Sequence, residues 1–325
     1  MKNIDRKALR KITYTIFFTN KTVVIALILS IALSIASPYF LIPQNLFNVS
    51  RQIVVNAIVA LGFTILLGMG EIDLSVGAML GLIGVIVGKL MVDLDLPVYF
   101  AIICALVSGI LLGSLNATLI SAFSLPPFIV TLATASIFRG VLFIATNMVP
   151  VILLPKAFLF IGQGYIGPVP FQVYILFLVF VAIYVIANRM KFGRYAVAIG
   201  ANKEAARISG INIKRVRLSV YILVGLCVAV AAVIQTARSS SAQTGAGLNM
   251  ELDVIAAVVI GGTALYGGSV NVVGTLFGVL IIGMVNNGLN LLGINPHFQI
   301  IAKGLIILFA LILDRIGLTL SAKQS

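Results

Sequence analysis

The chain has little of what a soluble enzyme needs. Only 10% of its 325 residues are charged, nine are acidic, one is histidine and two are cysteine. A soluble domain with a polar skin carries about 25% charged residues, so the shortage of charge excludes that class. What fills the space is apolar: 61% of residues are hydrophobic, and mean hydropathy is +1.17. Strand-like alternation is missing as well. The apolar runs are about 17 to 25 residues long and rich in glycine, which reads as spanning helices and not as an outer-membrane barrel. The fold class is all-α integral membrane.

The scarcity of histidine and cysteine narrows the chemistry. His297 follows Pro296 in an external turn and has no companion ligands for a metal. No acid stands in a catalytic pairing with it, which argues against a membrane-embedded enzyme. Cys104 and Cys227 lie inside apolar runs, where a thiol behaves as a small buried hydrophobe, so no structural disulfide is expected. A phosphate loop is absent too. Gly84 to Lys89 ends in Gly-Lys, but Ile83 and Leu90 stand where the loop needs Gly and Ser or Thr. No cofactor is expected on this chain, and any ATP must be handled by another.

Ten candidate spans follow from the apolar runs: Thr22 to Ile42, then 53 to 70, 74 to 92, 98 to 120, 128 to 146, 171 to 188, 218 to 237, 252 to 265, 272 to 292 and 298 to 314. The first is too long for a signal peptide and reads as a retained span. The run 252 to 265 is short for a core of about 30 Å, which neighbouring protein or a cavity can tolerate. The whole chain, 1 to 325, reads as one transmembrane domain.

The net charge of +13 belongs to the span ends and not to a nucleic-acid surface. The longest polar interruption, Ala187 to Leu218, holds Arg189, Lys191, Arg194, Lys203, Arg207, Lys214, Arg215 and Arg217 against Glu204. With this loop inside, both termini also fall inside. Sixteen of the 22 Lys and Arg are then cytosolic, Arg51, Lys89, Lys156 and Arg238 are at outer ends, and Arg139 and Lys303 are within spans. That distribution obeys the positive-inside rule and implies a multi-pass membrane protein with its basic loop and both termini cytosolic, in contact with lipid.

Local chemistry within the loop is specific. Asn202 can cap a short helix, Glu204 suits its positive end, Ala205 and Ala206 favour helix, and Gly210 supplies a left-handed stop. Asn212 can cap the next helix. A knob with a small-residue face suits a groove on another protein; equally, the charges could serve topology and headgroups alone.

Polar residues inside spans are costly. Asn116, Thr131, Gln235, Asn286 and Asn290 are candidates for a translocation path, with interhelical glue as the rival role. Asn286 and Asn290 share a helix face, whereas Asn287 points elsewhere. The glycines 77, 81, 84, 88, 274 and 278 read as close-packing positions. The stretch 147 to 170, with four prolines and three glycines, predicts a firm external cap that either docks a partner or seals the pore mouth. Glu71-Ile-Asp73 and Glu251-Leu-Asp253, with Gly113-Ser-Leu-Asn116 and Gly283-Met-Val-Asn286, form a faint echo of opposite orientation, a possible inverted repeat.

The pattern Glu204-Ala-Ala, three residues, Gly210 resembles the cytoplasmic coupling motif of permease subunits in ATP-binding-cassette importers. Gly70-Glu-Ile-Asp73-Leu-Ser75-Val-Gly77 resembles the GGIDLSVG signature of ribose-type permeases, with Glu71 in place of the second Gly, and 251 to 268 and 274 to 293 continue in the same order. From Asn45 to Leu313 the chain is similar to monosaccharide importer permeases of the ribose, xylose and autoinducer-2 group. The resemblance implies an ABC importer permease fold and transport of a pentose or similar small sugar. It assigns coupling to residues 189 to 217, with Asn202, Glu204, Ala205, Ala206, Arg207 and Gly210 meeting the ATPase. It further implies a separate ABC ATPase that uses ATP and Mg, an extracytoplasmic solute-binding protein, and a second permease copy, identical or related. The rival reading, an ion-coupled secondary transporter, needs a titratable cluster near mid-membrane, whereas the acids here gather at span ends.

Overall fold

A computed structural model of the chain describes residues 21 to 295 together with Phe298, Ile301, Gly304, Leu305 and Leu308. The basic residues before Lys21, His297, Lys303, the charges after 308 and, isolated positions aside, the span 298 to 314 lie outside the described residues.

The described chain is mostly helical, with one short hairpin and several irregular connections. The helices are α1 (Lys21–Ala36), α2 (Pro43–Gly68), α3 (Val76–Val92), α4 (Val98–Phe123), α5 (Pro127–Thr146), α6 (Lys156–Gln163), α7 (Phe171–Arg189), α8 (Lys191–Ala201), α9 (Lys203–Ile208), α10 (Ile213–Arg238), α11 (Met250–Ile260) and α12 (Val272–Leu291). Their ends follow local chemistry. Proline opens α2 and α5, where its missing N–H costs nothing. Ser124 turns left-handed just before Leu125-Pro126, so α4 stops where proline forbids its continuation.

Nine of the ten expected spans coincide with helices. Six of these, α2, α4, α5, α7, α10 and α12, are long and apolar enough to cross a membrane. The expected span 252 to 265 needs correction: its helix α11 ends at Ile260, before Gly261 and the left-handed Gly262. Its 11 residues rise only about 16 Å, half a bilayer core.

Two helices form the core. α10 packs against α2, α3 and α4, and α2 in turn against α11 and α12. Both are largely buried, whereas α4, α5 and α7 leave most of their surface uncovered. The expected cap at 147 to 170 is built from α6 and a hairpin of β1 (Tyr165–Ile166) and β2 (Val169–Pro170).

Candidate coupling surface and translocation path

At the end of the molecule that carries α8 and α9, the basic loop folds into a stiff knob. Asn202 Oδ1 accepts from the Ala205 N–H at 2.9 Å, and Asn212 Oδ1 accepts from the Arg215 N–H at 3.1 Å, so each Asn caps the helix that follows it. Gly210 has φ +83, and its N–H donates to the Arg207 carbonyl at 3.0 Å. A side chain there would be strained by the backbone alone, since nothing lies within 4 Å of an added Cβ. Glu204 accepts from Arg207 Nε at 3.1 Å. Both side chains are well exposed, so the pair contributes at most about 1 kcal/mol. Ala206 is buried, while Ile208, 78% exposed, places an apolar side chain on the outer surface of the knob. Beside it opens a cleft of about 830 Å3, lined among others by Gly70, Glu71, Lys203, Lys214 and Arg217.

The turn between α2 and α3 holds the signature residues. Gly70 takes φ +78. Asp73 Oδ1 accepts from the Ser75 N–H at 2.7 Å and the Ser75 hydroxyl at 2.6 Å. Asn116 Nδ2 donates to Asp73 Oδ2 at 3.3 Å and to Ser75 Oγ at 2.8 Å. Thr131 Oγ1 accepts from the Leu74 N–H at 3.1 Å, while its own hydroxyl donates to the Pro127 carbonyl at 2.9 Å. Asp73, Ser75, Asn116 and Thr131 are completely buried. Here Asn116 and Thr131 tie the turn to α4 and α5.

Glu71 fills the place of a signature glycine with an ion pair. Arg217 Nε and Nη2 approach Glu71 Oε1 at 2.7 and 2.6 Å, and Arg217 Nη1 donates to Ser121 Oγ at 3.1 Å. Glu71 and Arg217 are both buried. A basic neighbour thus holds the Glu71 charge, whereas Asp73 is not solvated.

The other path candidates are dispersed. Gln235 bonds Ser239 and Arg238 at the far end of α10. On α12, Asn286 is half-buried with Oδ1 lacking a described partner, and Asn290 is exposed. Asn287 faces inward and exchanges bonds with Asn45 at 2.8 and 3.0 Å. Among the described residues, none of the cavities beside the knob or beside α5 is lined by any of these five candidates.

A different group is assembled where the sequence showed only a loop. Residues 239 to 249 are non-helical and descend alongside α3. Ala242 pairs with Val151 near the cap. Ala246 and Gly247 then lie so close to α3 that a Cβ on Gly81 would sit 2.9 Å from the Ala246 carbonyl oxygen, and one on Gly77 2.1 Å from that of Gly247. The two glycines exist to let this segment in. Arg139, 12 residues into α5 and so about 18 Å from its start, donates from Nη1 to the carbonyls of Thr244 at 3.1 Å and Ala246 at 2.9 Å. Non-helical backbone at such depth persists only inside protein or along a water-filled cavity. A cavity of about 460 Å3 borders it, lined among others by Ser136, Arg139, Gly140, Asn249 and Glu251. Of these, the sequence marks Arg139 by its cost within a span, about 2.5 to 3.5 kcal/mol if central, which suits a dimer seam or a wet cavity, and Glu251 by its place in the repeated Glu-apolar-Asp pattern. The overlooked signal was the polar run Ser239 to Asn249 followed by an apolar segment too short to span.

The comparisons with known proteins agree with this architecture. The family described as branched-chain amino acid transport system / permease component matches residues 45 to 311. The ribose import permease protein RbsC of Bacillus subtilis is 46% identical over 89% of this chain and 90% of its own length. Its Escherichia coli K12 counterpart is 41% identical over 90% and 92%. The galactose/methyl galactoside import permease protein MglC of the same strain is 33% identical over 94% and 97%. No solved structure matches the chain. Matched over most of its length, the chain belongs to the family of branched-chain amino acid transport system / permease components.

Proposed function

We infer that this chain is the translocating subunit of an ATP-binding-cassette importer that moves ribose or a similar small sugar across the cytoplasmic membrane of a prokaryote. It is not itself an enzyme; ATP and Mg are handled by a separate ATPase. The observation that carries this reading is the capped, exposed knob of Asn202, Glu204, Ala205, Ala206, Arg207 and Gly210, in a chain 46% identical to a ribose import permease. Work delivered at the knob passes along α10, whose first turns carry Arg217 and its contact with the signature turn.

An extracytoplasmic binding protein docks at the opposite face and does the selecting, so the path itself binds weakly. A second permease copy, identical or related, covers the exposed helices. The knob and both termini are cytosolic, which fits ten spans with the basic loop inside. An inverted repeat is supported by the exchange of partners between halves: α4 packs on α10, and α12 on α2. Asn286 and Asn290 remain the sequence-selected residues best exposed for a path.

Reconstitution tests the reading. Proteoliposomes holding the permease, its ATPase and its binding protein should take up ribose only with internal ATP. Gly210→Val, straining the backbone by about 1 to 2 kcal/mol, should weaken ATPase copurification while leaving membrane insertion intact. Uptake by the permease alone under an imposed ion gradient would reject the assignment in favour of a secondary transporter.

A further inference from the structure

Among the cavities, the one beside α5 has the chemistry of a solute site, and no role has been attached to it. Ser136 and Arg139 come from α5, Asn249 from the end of the non-helical segment, and Glu251 from the first turn of α11. These residues supply a hydroxyl, a guanidinium, an amide and a carboxylate. Glu251 Oε2 lies against Gly77 and Arg139 Nη1 against Gly81, one helical turn or about 6 Å apart along α3. Arg139 spends Nη1 on two carbonyls, which fixes the guanidinium and leaves Nε and Nη2 without a described hydrogen bond.

The charged groups make hydrocarbon a poor occupant. Ser136 and Asn249 are exposed, the Ser136 hydroxyl resting on the Leu132 carbonyl at 3.2 Å, and Arg139 and Glu251 are half-buried, at a depth where hydrocarbon would satisfy neither charge. An added Cβ on Gly140 meets nothing within 4 Å, so the α5 side of the cavity is open. The cavity joins these polar groups to an apolar wall of Leu74, Ala78, Ala135, Phe143 and Leu248, and at about 460 Å3 it is wide enough for a monosaccharide.

We propose that Ser136, Arg139, Asn249 and Glu251 form a weak binding station for a small polyhydroxylated solute about midway along the translocation path. Vicinal hydroxyls both donate and accept, and so pair with a guanidinium, a carboxylate and an amide together. The choice of a polyol over a zwitterion with one charge for each partner rests on the sugar-importer reading above. Glu251 and Asn249 contact the solute, whereas Arg139 has a second, positioning task in holding the 244 to 246 backbone.

A cysteine reporter separates this site from the importer reading. In a Cys104→Ala, Cys227→Ala background, Ser136→Cys places a thiol in the cavity of the full-length permease. A membrane-impermeant maleimide should label it, and ribose on the order of 10 mM should slow labelling by at least about twofold, the effect of half-occupancy. L-Leucine at the same concentration should not. Glu251→Gln or Asn249→Ala should abolish the protection, whereas Asp93→Asn, which removes a carboxylate of the exposed pair with Lys89, should retain it. Labelling unaffected by ribose, or slowed by leucine instead, overturns the station. ATP-driven ribose uptake without protection would discard this site and keep the importer; protection without ATP-driven uptake would do the reverse.

Discussion

The tripeptide Glu-apolar-Asp occurs twice and meets two different fates. At Glu71 to Asp73 it is locked: Glu71 lies 2.6 Å from Arg217, and Asp73 is sealed among Ser75 and Asn116. At Glu251 to Asp253 the glutamate has an arginine in the same cavity, Arg139, but no ion pair within 4.0 Å joins them among the described residues. The first arginine is spent on its glutamate and on Ser121, the second on backbone carbonyls. Similar charges thus make a latch at one depth and an open polar wall at another. What differs is what each arginine meets: the side chains of Glu71 and Ser121 in the first case, the carbonyls of an irregular segment in the second.

The sharpest way to break this contrast is to remove one arginine at a time. Arg217→Met leaves Glu71 buried and alone and should cost about 3 to 5 kcal/mol, read from unfolding of the purified permease in detergent. Adding Glu71→Gly, the signature residue of the ribose-type permeases, should recover most of the loss. Arg139→Met should cost less, about 1.5 to 3 kcal/mol for charge-assisted bonds to carbonyls, and Glu251→Gln should not rescue it. Equal rescue at both sites would mean that Arg139 and Glu251 are a latch as well.

Gly77 tests how the two regions are joined, since it starts α3 after the first turn and touches Gly247 and Glu251 near the second. Gly77→Ala should push the irregular segment away at about 1 to 3 kcal/mol and speed labelling of a thiol at Ser136. Glu251→Gln should have the smallest effect on stability, within about 1 kcal/mol, while lowering the rate of ATP-driven uptake. A stability loss as large as that of Arg217→Met would contradict an open site.

What could be read from sequence depended on how far apart the interacting residues lie. The caps at Asn202 and Asn212 and the left-handed Gly210 act within three or four residues, so side-chain chemistry alone foretold them. Long apolar runs announced most of the helices for the same local reason. Asn116 is 43 residues from Asp73, and Arg139 is 105 and 107 residues from the carbonyls it holds. A buried asparagine and a cavity-lining asparagine look alike until their partners are known, so sequence alone does not separate Asn116 from Asn249. The short α11 was visible as an anomaly, but the descent of residues 239 to 249 beside α3 was not.

We propose that this chain moves sugar with work received at α9 from another subunit. The direct measurement is ATP-dependent uptake of labelled ribose by the reconstituted permease, ATPase and binding protein, with residues 203 to 210 either intact or replaced by an equally long Gly-Ser linker. The account predicts uptake with the intact knob and none with the linker, while the linker protein still inserts and still shows ribose protection of a thiol at Ser136. Undiminished ATP-driven uptake by the linker protein would contradict it.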